Sequence, residues 1–514
     1  MSISTILMLC ATLFACGGGG GGGGGGNSTT PSSTTTTVTT TTTTTMPPAA
    51  GAPIVLYTDL VSGPTSGGEN NRGAYLTIFG KNFGNTGLGT TTKVFIGSAE
   101  VASYRALSAS KVYDKIGIQQ IAVQVGALGG AAQGVALPIK VSVNGVDSNT
   151  NVSFMPNPGR LLYVDNVAGT GAIVLMGYPG EDTYIRGTIA GGMTGGCVSG
   201  INGQSFTGMG QWAVITNLRM DCEGYDGPIS QEIYGHNWRV INNDLSASTA
   251  PRTGPNVPRM AGITGNGNNA VWYGNHIHDI QGSAQECHGI YIDGDGSYDI
   301  AYNHIHDIRD GNGFQVYVNG GNGSTEANNV SLHHNFIHDV SKHGINIGDG
   351  MRNDLKIWNN ITYNAQYAAL RFNTNTLNGA QIFHNTFYNT NLASNVFYGA
   401  LTNDWNLPAG SMDVENNIFY VASGTPYNSG SVSVLAGNGT FKRNLWFNGT
   451  GSTAIDSLPV TADPKFIAAG SDFHLQPASP AIGIGSTAAA VTTLVTNDFD
   501  LKPRGPAMNL GAFQ

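Results

Sequence analysis

An asparagine that recurs between two short apolar runs is the feature that most constrains the fold of this chain. Nine segments share it, the first reading AVITNLRM and the last FKRNLWF. The recurring residues are Asn217, Asn243, Asn275, Asn303, Asn335, Asn360, Asn385, Asn417 and Asn444. Their spacings of 26, 32, 28, 32, 25, 25, 32 and 27 residues are typical of a solenoid in which each repeat forms one coil. Because no apolar run of helical period accompanies the repeat, the coils are predicted to be β-structure.

Each predicted coil bends at its asparagine, whose amide can bond the backbone and the asparagine of the next coil. A repeat of this kind resembles the right-handed parallel β-helix. The sequence therefore predicts an all-β protein with a right-handed parallel β-helix over residues 158–457. Residues 458–514, which include DFHLQPASPAIGIGS, resemble the C-terminal segment of secreted bacterial β-helix enzymes, and we expect them to cap the last coil.

Residues 52–157 show a different pattern, in which short runs of alternating apolar and polar residues are separated by glycine and asparagine. This pattern predicts half-buried strands, and their spacing favours an immunoglobulin-like β-sandwich. The order of the runs, and LTIFGKNFG at residues 76–84 above all, resembles the IPT/TIG family of immunoglobulin-like modules. That resemblance implies a structural spacer, with glycan binding as the alternative.

The first 51 residues are predicted to export the chain and to tether it. Residues 1–15 form a short apolar signal segment ending in Leu-Phe-Ala before Cys16, and this resembles a bacterial lipoprotein signal. The resemblance implies a lipid on Cys16 and a place in the cell envelope, as an outer-membrane lipoprotein or as a secreted protein. A run of glycines and a threonine-rich tract make residues 16–51 a flexible linker.

Charge and composition narrow the class of partner. Only 11% of the residues are charged, and 23 basic against 32 acidic side chains give a net charge of −9. Because binding to a phosphate backbone requires clustered lysine and arginine, nucleic acid is not an expected partner. We expect a monomer that acts on a polysaccharide and that contacts a membrane through its lipid anchor.

A second strand in each of four successive coils carries the candidate site. In HGIYIDG, NGFQVYVNG, HGINIGDG and ALRFNTN, apolar residues alternate with other residues and are expected to point inward. The first outward column is then Tyr291, Gln315, Asn346 and Arg371, the second is Asp293, Tyr317 and Asn373, and the third is Gly289, Gly313 and Gly344. Since coils stack about 4.8 Å apart, these columns predict a polar, aromatic patch beside a bare glycine floor on which a flat sugar can lie.

Histidines beside these columns are candidates for proton transfer. His288 and His343 immediately precede two of the strands, and a neutral imidazole is a suitable base near pH 7. The alternative is that each histidine bonds backbone at a turn. A separate column is interpreted as structural, because regular stacking at one repeat position is typical of architecture; it comprises His278, His306, His338, Tyr363, Tyr388 and Tyr420.

Carboxylates near the first of these strands offer other chemistry. Glu286, Asp293 and Asp295 lie close together in ECHGIYIDGDGS, and two carboxylates on either side of a glycosidic bond support hydrolysis. Asp293 and Asp295, with Asp299, can instead bind Ca²⁺ through oxygen. The segment DGDGS is also simply a good turn.

Exported β-helix proteins of this resemblance are mostly polysaccharide lyases and hydrolases. A lyase that cleaves beside a uronic acid must neutralise the carboxylate, remove the C5 proton and protonate the leaving oxygen. The candidates are Arg371 or Ca²⁺ for the first role, His288, His343 or Lys342 for the second, and Tyr291 or Tyr317 for the third. The strand ALRFN also resembles the arginine-bearing strand of alginate and chondroitin lyases.

The sequence thus predicts a carbohydrate-active enzyme that cleaves an acidic polysaccharide by β-elimination. A glycoside hydrolase using the carboxylates of the same face is one alternative, and a non-catalytic glycan-binding or adhesin solenoid is another. The residues expected to bind substrate are Glu286, Asp293, Gln315, Tyr317, Lys342 and Asn346.

Overall fold

The structure is a computed structural model of the 514-residue chain. It describes residues 51–109, 117–158, 174–187, 198–199, 212–222, 227–230, 236–248, 261–282, 287–294, 296–318, 326–395, 397–404, 407–429, 437, 439–451 and 453–514. The predicted signal segment, Cys16 and the linker up to residue 50 lie outside these ranges, as do Glu286 and Asp295. Within these ranges, no helix has both the length and the apolar character needed to cross a membrane.

Residues 52–157 form two sheets that are mostly antiparallel and enclose their own apolar core, consistent with the predicted β-sandwich. The four-stranded sheet has the order Ile54–Thr58, Tyr75–Lys81, Gln119–Gln124, Ser103–Ala109. The six-stranded sheet has the order Ser62–Gly63, Ser153–Pro156, Leu137–Val143, Thr92–Ile96, Ala99–Glu100, with Val146–Asp147 also paired to Leu137–Val143. Two 3₁₀ turns are at Glu69–Asn71 and Leu128–Gly130. Alternate residues such as Leu76, Ile78 and Val94 are buried between the sheets.

Three parallel sheets, here named A, B and C, build the solenoid, and the chain visits them in that order in each coil. Sheet A contains Val174–Met176, Val214–Thr216, Arg239–Ile241, Ala270–Tyr273, Gly296–Ala301, Ala327–His333, Met351–Trp358, Ala380–Phe383, Met412–Glu415 and Gly439–Lys442. Sheet B contains Tyr184–Gly187, Arg219–Cys222, Asp244–Ala247, His276–Ile280, His304–Ile308, Phe336–Val340, Ile361–Ala365, Thr386–Tyr388, Ile418–Tyr420 and Leu445–Phe447. Sheet C contains Val198–Ser199, Ile229–Ser230, Ala261–Gly265, His288–Ile292, Phe314–Val316, Ile345–Ile347, Leu370–Phe372, Leu401–Asn403 and Asn428–Ser429.

The predicted fold class is confirmed, because the strands of each solenoid sheet pair in parallel with those of the next coil. The side chains expected to point inward from sheet C are fully buried, namely Ile290, Ile292, Phe314, Val316, Ile345, Ile347, Leu370 and Phe372. They join inward residues of sheets A and B in one continuous core. Burial of a side chain of this size stabilises the fold by about 1.5–3 kcal/mol.

The predicted asparagine ladder runs through this core from Asn243 to Asn444. Each Nδ2 donates to the Oδ1 of the next coil over 2.9–3.1 Å. The ladder ends at Asp456, whose Oδ2 accepts from Asn444 Nδ2 at 2.8 Å. The amides thus satisfy buried backbone groups at the bend, where strand pairing is interrupted.

The assignment of Asn217 to this ladder was wrong by one residue. The N–H of Leu218 donates to Asn243 Oδ1 at 3.1 Å, so Leu218 occupies the ladder position. Asn217 instead precedes it, and Asn242 Nδ2 of the next coil donates to Asn217 Oδ1 at 2.8 Å. The segment AVITNLRM has a single asparagine where the next segment has two, and this asparagine corresponds to the first of the two, Asn242, and not to Asn243.

The residue that precedes the ladder position has a positive φ of 51–65° in successive coils, and these residues are here called the corner column. They are Asn217, Asn242, Gly274, Tyr302, His334, Asn359, His384, Asn416 and Arg443. A left-handed residue turns the chain from sheet A into sheet B and directs its side chain away from the core. The residue type differs from coil to coil because each side chain packs against a different part of the protein.

The first part of the corner column holds the β-sandwich. Asn217 Nδ2 donates to Asp59 Oδ2 at 3.3 Å, and the Tyr302 ring stacks on Tyr57 with centroids 5.6 Å apart. Gly274 is required here, because a Cβ at that position would lie 2.3 Å from the Tyr57 hydroxyl. The sandwich therefore packs against the solenoid through specific contacts.

The later part of the corner column holds the C-terminal segment. His334 Nε2 donates to the carbonyl oxygen of Asp498 at 3.0 Å, and Asn416 Oδ1 accepts the N–H of Ser486 at 2.6 Å. This segment contains strands Phe466–Ala468 and Asp472–Leu475 and the helix Ala489–Leu494. It packs along sheet B, where Phe473 contacts the rings of Tyr363 and Tyr388.

Candidate functional site

The predicted outward column on sheet C exists. Tyr291, Gln315, Asn346 and Arg371 pair in register across four successive strands. Tyr291, Gln315 and Arg371 are half-buried, whereas Asn346 is buried. Since Tyr291 and Arg371 are three coils apart, about 14 Å separates them along the axis, which is more than the length of one sugar residue.

The predicted glycine floor was wrong. Gly289, Gly313 and Gly344 each directly precede residues that pair in register, but a Cβ at Gly289 would lie 2.4 Å from Ile305 Cγ2, inside the core. A Cβ at Gly313 would likewise lie 2.4 Å from Ile337 Cγ2. The chain bends as it enters sheet C, so the alternation of the strand does not extend back to these glycines. They allow sheets B and C to approach each other and present no surface to a ligand.

His288 and His343 belong to a second ladder at this bend, one position before the glycines. His288 Nδ1 accepts the N–H of Asn312 at 3.0 Å, and Asn312 Oδ1 accepts the N–H of His343 at 3.0 Å. His343 Nδ1 in turn accepts the N–H of Ala368 at 3.2 Å. Each side chain thus binds the backbone of the next coil, as in the alternative structural interpretation of these histidines.

This ladder fixes the tautomer of both histidines. A backbone N–H can only donate, so Nδ1 carries the lone pair and Nε2 carries the proton. Burial lowers the pKa of His288 to about 3, with a further contribution from the charge of Lys342. Burial, followed by the charges of Arg371 and Lys342, lowers the pKa of His343 well below its ordinary value. Neither imidazole has a free lone pair with which to accept a substrate proton, so the predicted base role does not fit this geometry.

The upper centre of the sheet C face comprises Tyr291, Asp293, Gln315 and Tyr317. The Tyr291 hydroxyl donates to the Tyr317 carbonyl oxygen at 3.3 Å, and its ring meets His288 edge-on at 5.4 Å. Burial raises the pKa of Asp293 to about 6, and the Tyr291 hydroxyl, for which Asp293 and the Tyr317 carbonyl compete, opposes the shift when it donates to Asp293. Gln315 Oε1 accepts from Asn346 Nδ2 at 2.7 Å and is thereby fixed.

The lower centre comprises Lys342, His343, Tyr367, Arg371, Tyr398 and Asp404. Arg371 Nε donates to Asp404 Oδ2 at 2.8 Å, and the guanidinium lies 5.6 Å from the Tyr398 ring centroid. The Tyr398 ring meets His343 edge-on at 4.7 Å and packs on Tyr367 at 5.0 Å. Phe397, next to this cluster, is 76% exposed. A guanidinium beside several aromatic rings is suited to an acidic sugar, since one group binds the carboxylate and the others cover the ring.

The predicted site residues therefore divide into two centres. Arg371, His343 and Lys342 fall in the lower centre, whereas Tyr291, Tyr317 and His288 fall in the upper one. Tyr367, Tyr398 and Asp404 were not predicted. Asp404 continues the second outward column, because its N–H donates to the Phe372 carbonyl as that of Asn373 donates to Ile347. The sequence signal was the strand Leu401–Asn403, which extends sheet C by one coil beyond ALRFN.

The carboxylates predicted for hydrolysis or Ca²⁺ binding are not assembled within the described residues. Asp293 is the only one of Glu286, Asp293 and Asp295 that the structure describes. Asp299 lies on sheet A, where its Oδ2 accepts from the Tyr273 hydroxyl at 2.6 Å and its Oδ1 lies 3.1 Å from His333 Nε2. Its oxygens are thus already engaged, and the described residues do not fit a Ca²⁺ cage.

No protein-family model matches this chain, and no curated protein matches it in sequence. The parallel β-solenoid and the N-terminal sheets consistent with a sandwich are therefore shown by the fold itself. The enzyme, lipoprotein and IPT/TIG assignments stay predictions.

Proposed function

We propose that this protein is a carbohydrate-active enzyme that cleaves an acidic polysaccharide by β-elimination at the lower centre of sheet C. The observation that carries the proposal is the convergence of Arg371, His343 and Tyr398 on one patch, next to the exposed ring of Phe397. A glycan that lies along the solenoid axis crosses successive coils, so the upper centre can bind a neighbouring sugar.

Arg371 Nη1 is the group proposed to bind the uronate carboxylate, because Nε and Nη2 of the same guanidinium donate to Asp404. Lys342 adds positive charge. Neutralising this carboxylate makes the C5 proton easier to remove. The Tyr398 hydroxyl, in its ionised form, is proposed to accept that proton; the C5–H electrons form the C4–C5 double bond as the C4–O bond breaks. The same hydroxyl then returns the proton to the leaving oxygen. His343 is a positioning residue that packs against Tyr398.

A digest of the full chain with a panel of uronic-acid polysaccharides tests this proposal. β-Elimination gives an unsaturated product that absorbs in the ultraviolet, and it should appear with at least one polymer. Tyr398→Phe should lower the rate by about 100-fold or more. The matched control is Tyr420→Phe on sheet B, which should leave the rate unchanged.

Three other outcomes would overturn the proposal. New reducing ends without ultraviolet absorbance would favour a glycoside hydrolase. Retention on a glycan column without either product would favour a binding solenoid. Equal loss in Tyr398→Phe and Tyr420→Phe would show that the lower centre is not the reaction centre.

A further inference from the structure

The outer face of sheet B carries five histidines on three successive coils, here called the histidine cluster. They are His276, His278, His304, His306 and His338. The segments NHIHD, NHIHD and NFIHD place them directly after the ladder asparagine, with Ile277, Ile305 and Ile337 pointing into the core between them. The rings of His306 and His338 stack with their centroids 5.0 Å apart. The predicted column of stacked rings is thus confirmed, and a second histidine column lies beside it.

The histidine cluster ends where the C-terminal segment begins to cover sheet B. Phe336 in the third coil, and Tyr363 and Tyr388 in the next two, occupy equivalent positions and pack against the C-terminal segment. The side chains of His276 and His278 remain 23% exposed and that of His306 18% exposed. His276, His278 and His306 therefore lie within reach of a small solute, whereas His304 is buried.

Three aspartates fix His278, His306 and His338, the histidines of the predicted column. His278 Nδ1 lies 3.0 Å from Asp279, His306 Nδ1 lies 2.7 Å from Asp307, and His338 Nδ1 lies 2.6 Å from Asp339. Each aspartate has a φ of 51°, the left-handed conformation that forms a bulge and turns the carboxylate back along the strand. A carboxylate can only accept, so Nδ1 carries the proton. For His306 and His338 this directs the Nε2 lone pair into the cluster.

The Nε2 atoms meet closely across the diagonal of the sheet. His276 Nε2 lies 2.7 Å from His306 Nε2, and His304 Nε2 lies 2.8 Å from His338 Nε2. One nitrogen of each pair must carry a proton, which a metal ion can replace. One ligand nitrogen from each of His276, His304 and His306 falls within 4.8 Å of the others.

We propose that His276, His304 and His306 bind one Zn²⁺ ion. Three imidazole nitrogens at this separation suit a borderline divalent metal, and the aspartate behind His306 is the outer partner that such ligands use. Zn–N bonds of about 2.0–2.1 Å require ligand nitrogens about 3.3 Å apart, so His276 and His306 separate by a few tenths of an ångström. When His276 Nε2 loses its proton to solvent, Nδ1 takes up the proton and faces Asp244 Oδ1, 3.5 Å away.

His278 is excluded from the ligand set although it also lies near Asp244 and His276. Its Nε2 lies 2.7 Å from Asp244 Oδ1 and its Nδ1 faces Asp279. Both nitrogens donate to carboxylates, so His278 has no lone pair to offer. This selects His276, His304 and His306 over the overlapping group of Asp244, His276 and His278.

Titration of the chelator-treated full chain with Zn²⁺ alone tests this proposal. Calorimetry should show one equivalent bound, and Co²⁺ in its place should give the intense visible bands of a tetrahedral site. His306→Ala should weaken binding by at least about 100-fold, and Asp307→Asn by about 10- to 100-fold. The control is His474→Ala, since His474 also lies between two carboxylates, Asp472 at 2.6 Å and Asp500 at 2.9 Å. His474→Ala should bind as the unaltered chain does.

Absence of Zn²⁺ binding to the unaltered, folded chain would overturn the proposal. So would an equal loss of binding in His474→Ala and His306→Ala, or octahedral Co²⁺ bands. Asp307→Asn keeps every proposed ligand, so it tests the site even if His306→Ala does not fold. Polysaccharide cleavage is not part of this readout, and the two proposals can fail separately.

Discussion

Two sets of histidines on the same solenoid have opposite hydrogen-bond partners and opposite properties. At the bend before sheet C, His288 Nδ1 accepts a backbone N–H, and burial lowers its pKa to about 3. On sheet B, both nitrogens of His278 face carboxylates; burial alone would lower its pKa, but the bonds to Asp244 and Asp279 raise it overall. The surroundings of His288 therefore favour its neutral form, whereas those of His278 favour its charged form.

This difference shows that the partner at Nδ1, more than the residue type, decides what a histidine can do. A backbone N–H at Nδ1 leaves a neutral ring that can only donate at Nε2. A carboxylate at Nδ1 leaves an Nε2 lone pair, as in His306, which can bind a metal or a proton. The sequence motifs HGI and HIHD thus have different chemical meanings, although both precede or begin a strand.

The largest expected effect concerns acid stability and compares the unaltered chain with His288→Asn. The unfolded chain binds a proton at His288 below about pH 6.5, whereas the folded chain binds one only below about pH 3. Relative to the variant, the free energy of unfolding should therefore fall by about 1.4 kcal/mol per pH unit between these values as the pH is lowered. Urea unfolding across this range measures the difference. A difference that stays constant with pH would contradict the neutral, buried state of His288.

A smaller effect separates hydrogen bonding from packing at the same position. His288→Ala leaves the N–H of Asn312 without its acceptor and should lower the free energy of unfolding by about 2 kcal/mol at neutral pH. His288→Asn should cost less, because Asn312 in the next coil uses its Oδ1 to accept the N–H of His343 at 3.0 Å. Urea unfolding of both variants tests this. Equal losses would show that ring packing, and not the ladder, stabilises the bend.

The regular parts of the fold could be predicted because one physical requirement repeats in every coil. The asparagines form hydrogen bonds with the buried backbone groups at the bend, and alternate residues of sheet C are apolar and point into the core. Both requirements therefore appear as periodic patterns in the sequence. The corner column was not predictable in the same way. Its residues range from Gly274 to Arg443, since each one is fitted to the sandwich or to the C-terminal segment, and these contacts are far apart in sequence.

The candidate site was predicted only in part because strand alternation is a local rule. It placed Tyr291 and Arg371 in one column correctly, but it gave no distance along the axis and so merged two centres. The alternation rule failed at Gly289, because the bend directs toward the core a position that alternation predicts to face outward. Tyr398 lies in a connection between sheets B and C, where no alternation exists to reveal its orientation.

The smallest expected effect is the pH dependence of stability at His278, which should have the opposite sign to that at His288. His278 has a raised pKa in the folded chain, so its charged form stabilises the fold. That contribution is fully present below the unfolded pKa of about 6.5 and is lost as the pH rises through the folded pKa. Relative to His278→Asn, the unaltered chain should therefore gain stability as the pH falls through this region, opposite to the behaviour of His288. The gain should be at most about 1 kcal/mol, because the side chain is 23% exposed and solvent screens the pair. Urea unfolding of both chains across the same pH range measures the gain. If the free energy of unfolding depends on pH with the same sign at positions 278 and 288, the difference between an accepting and a donating Nδ1 does not govern these histidines.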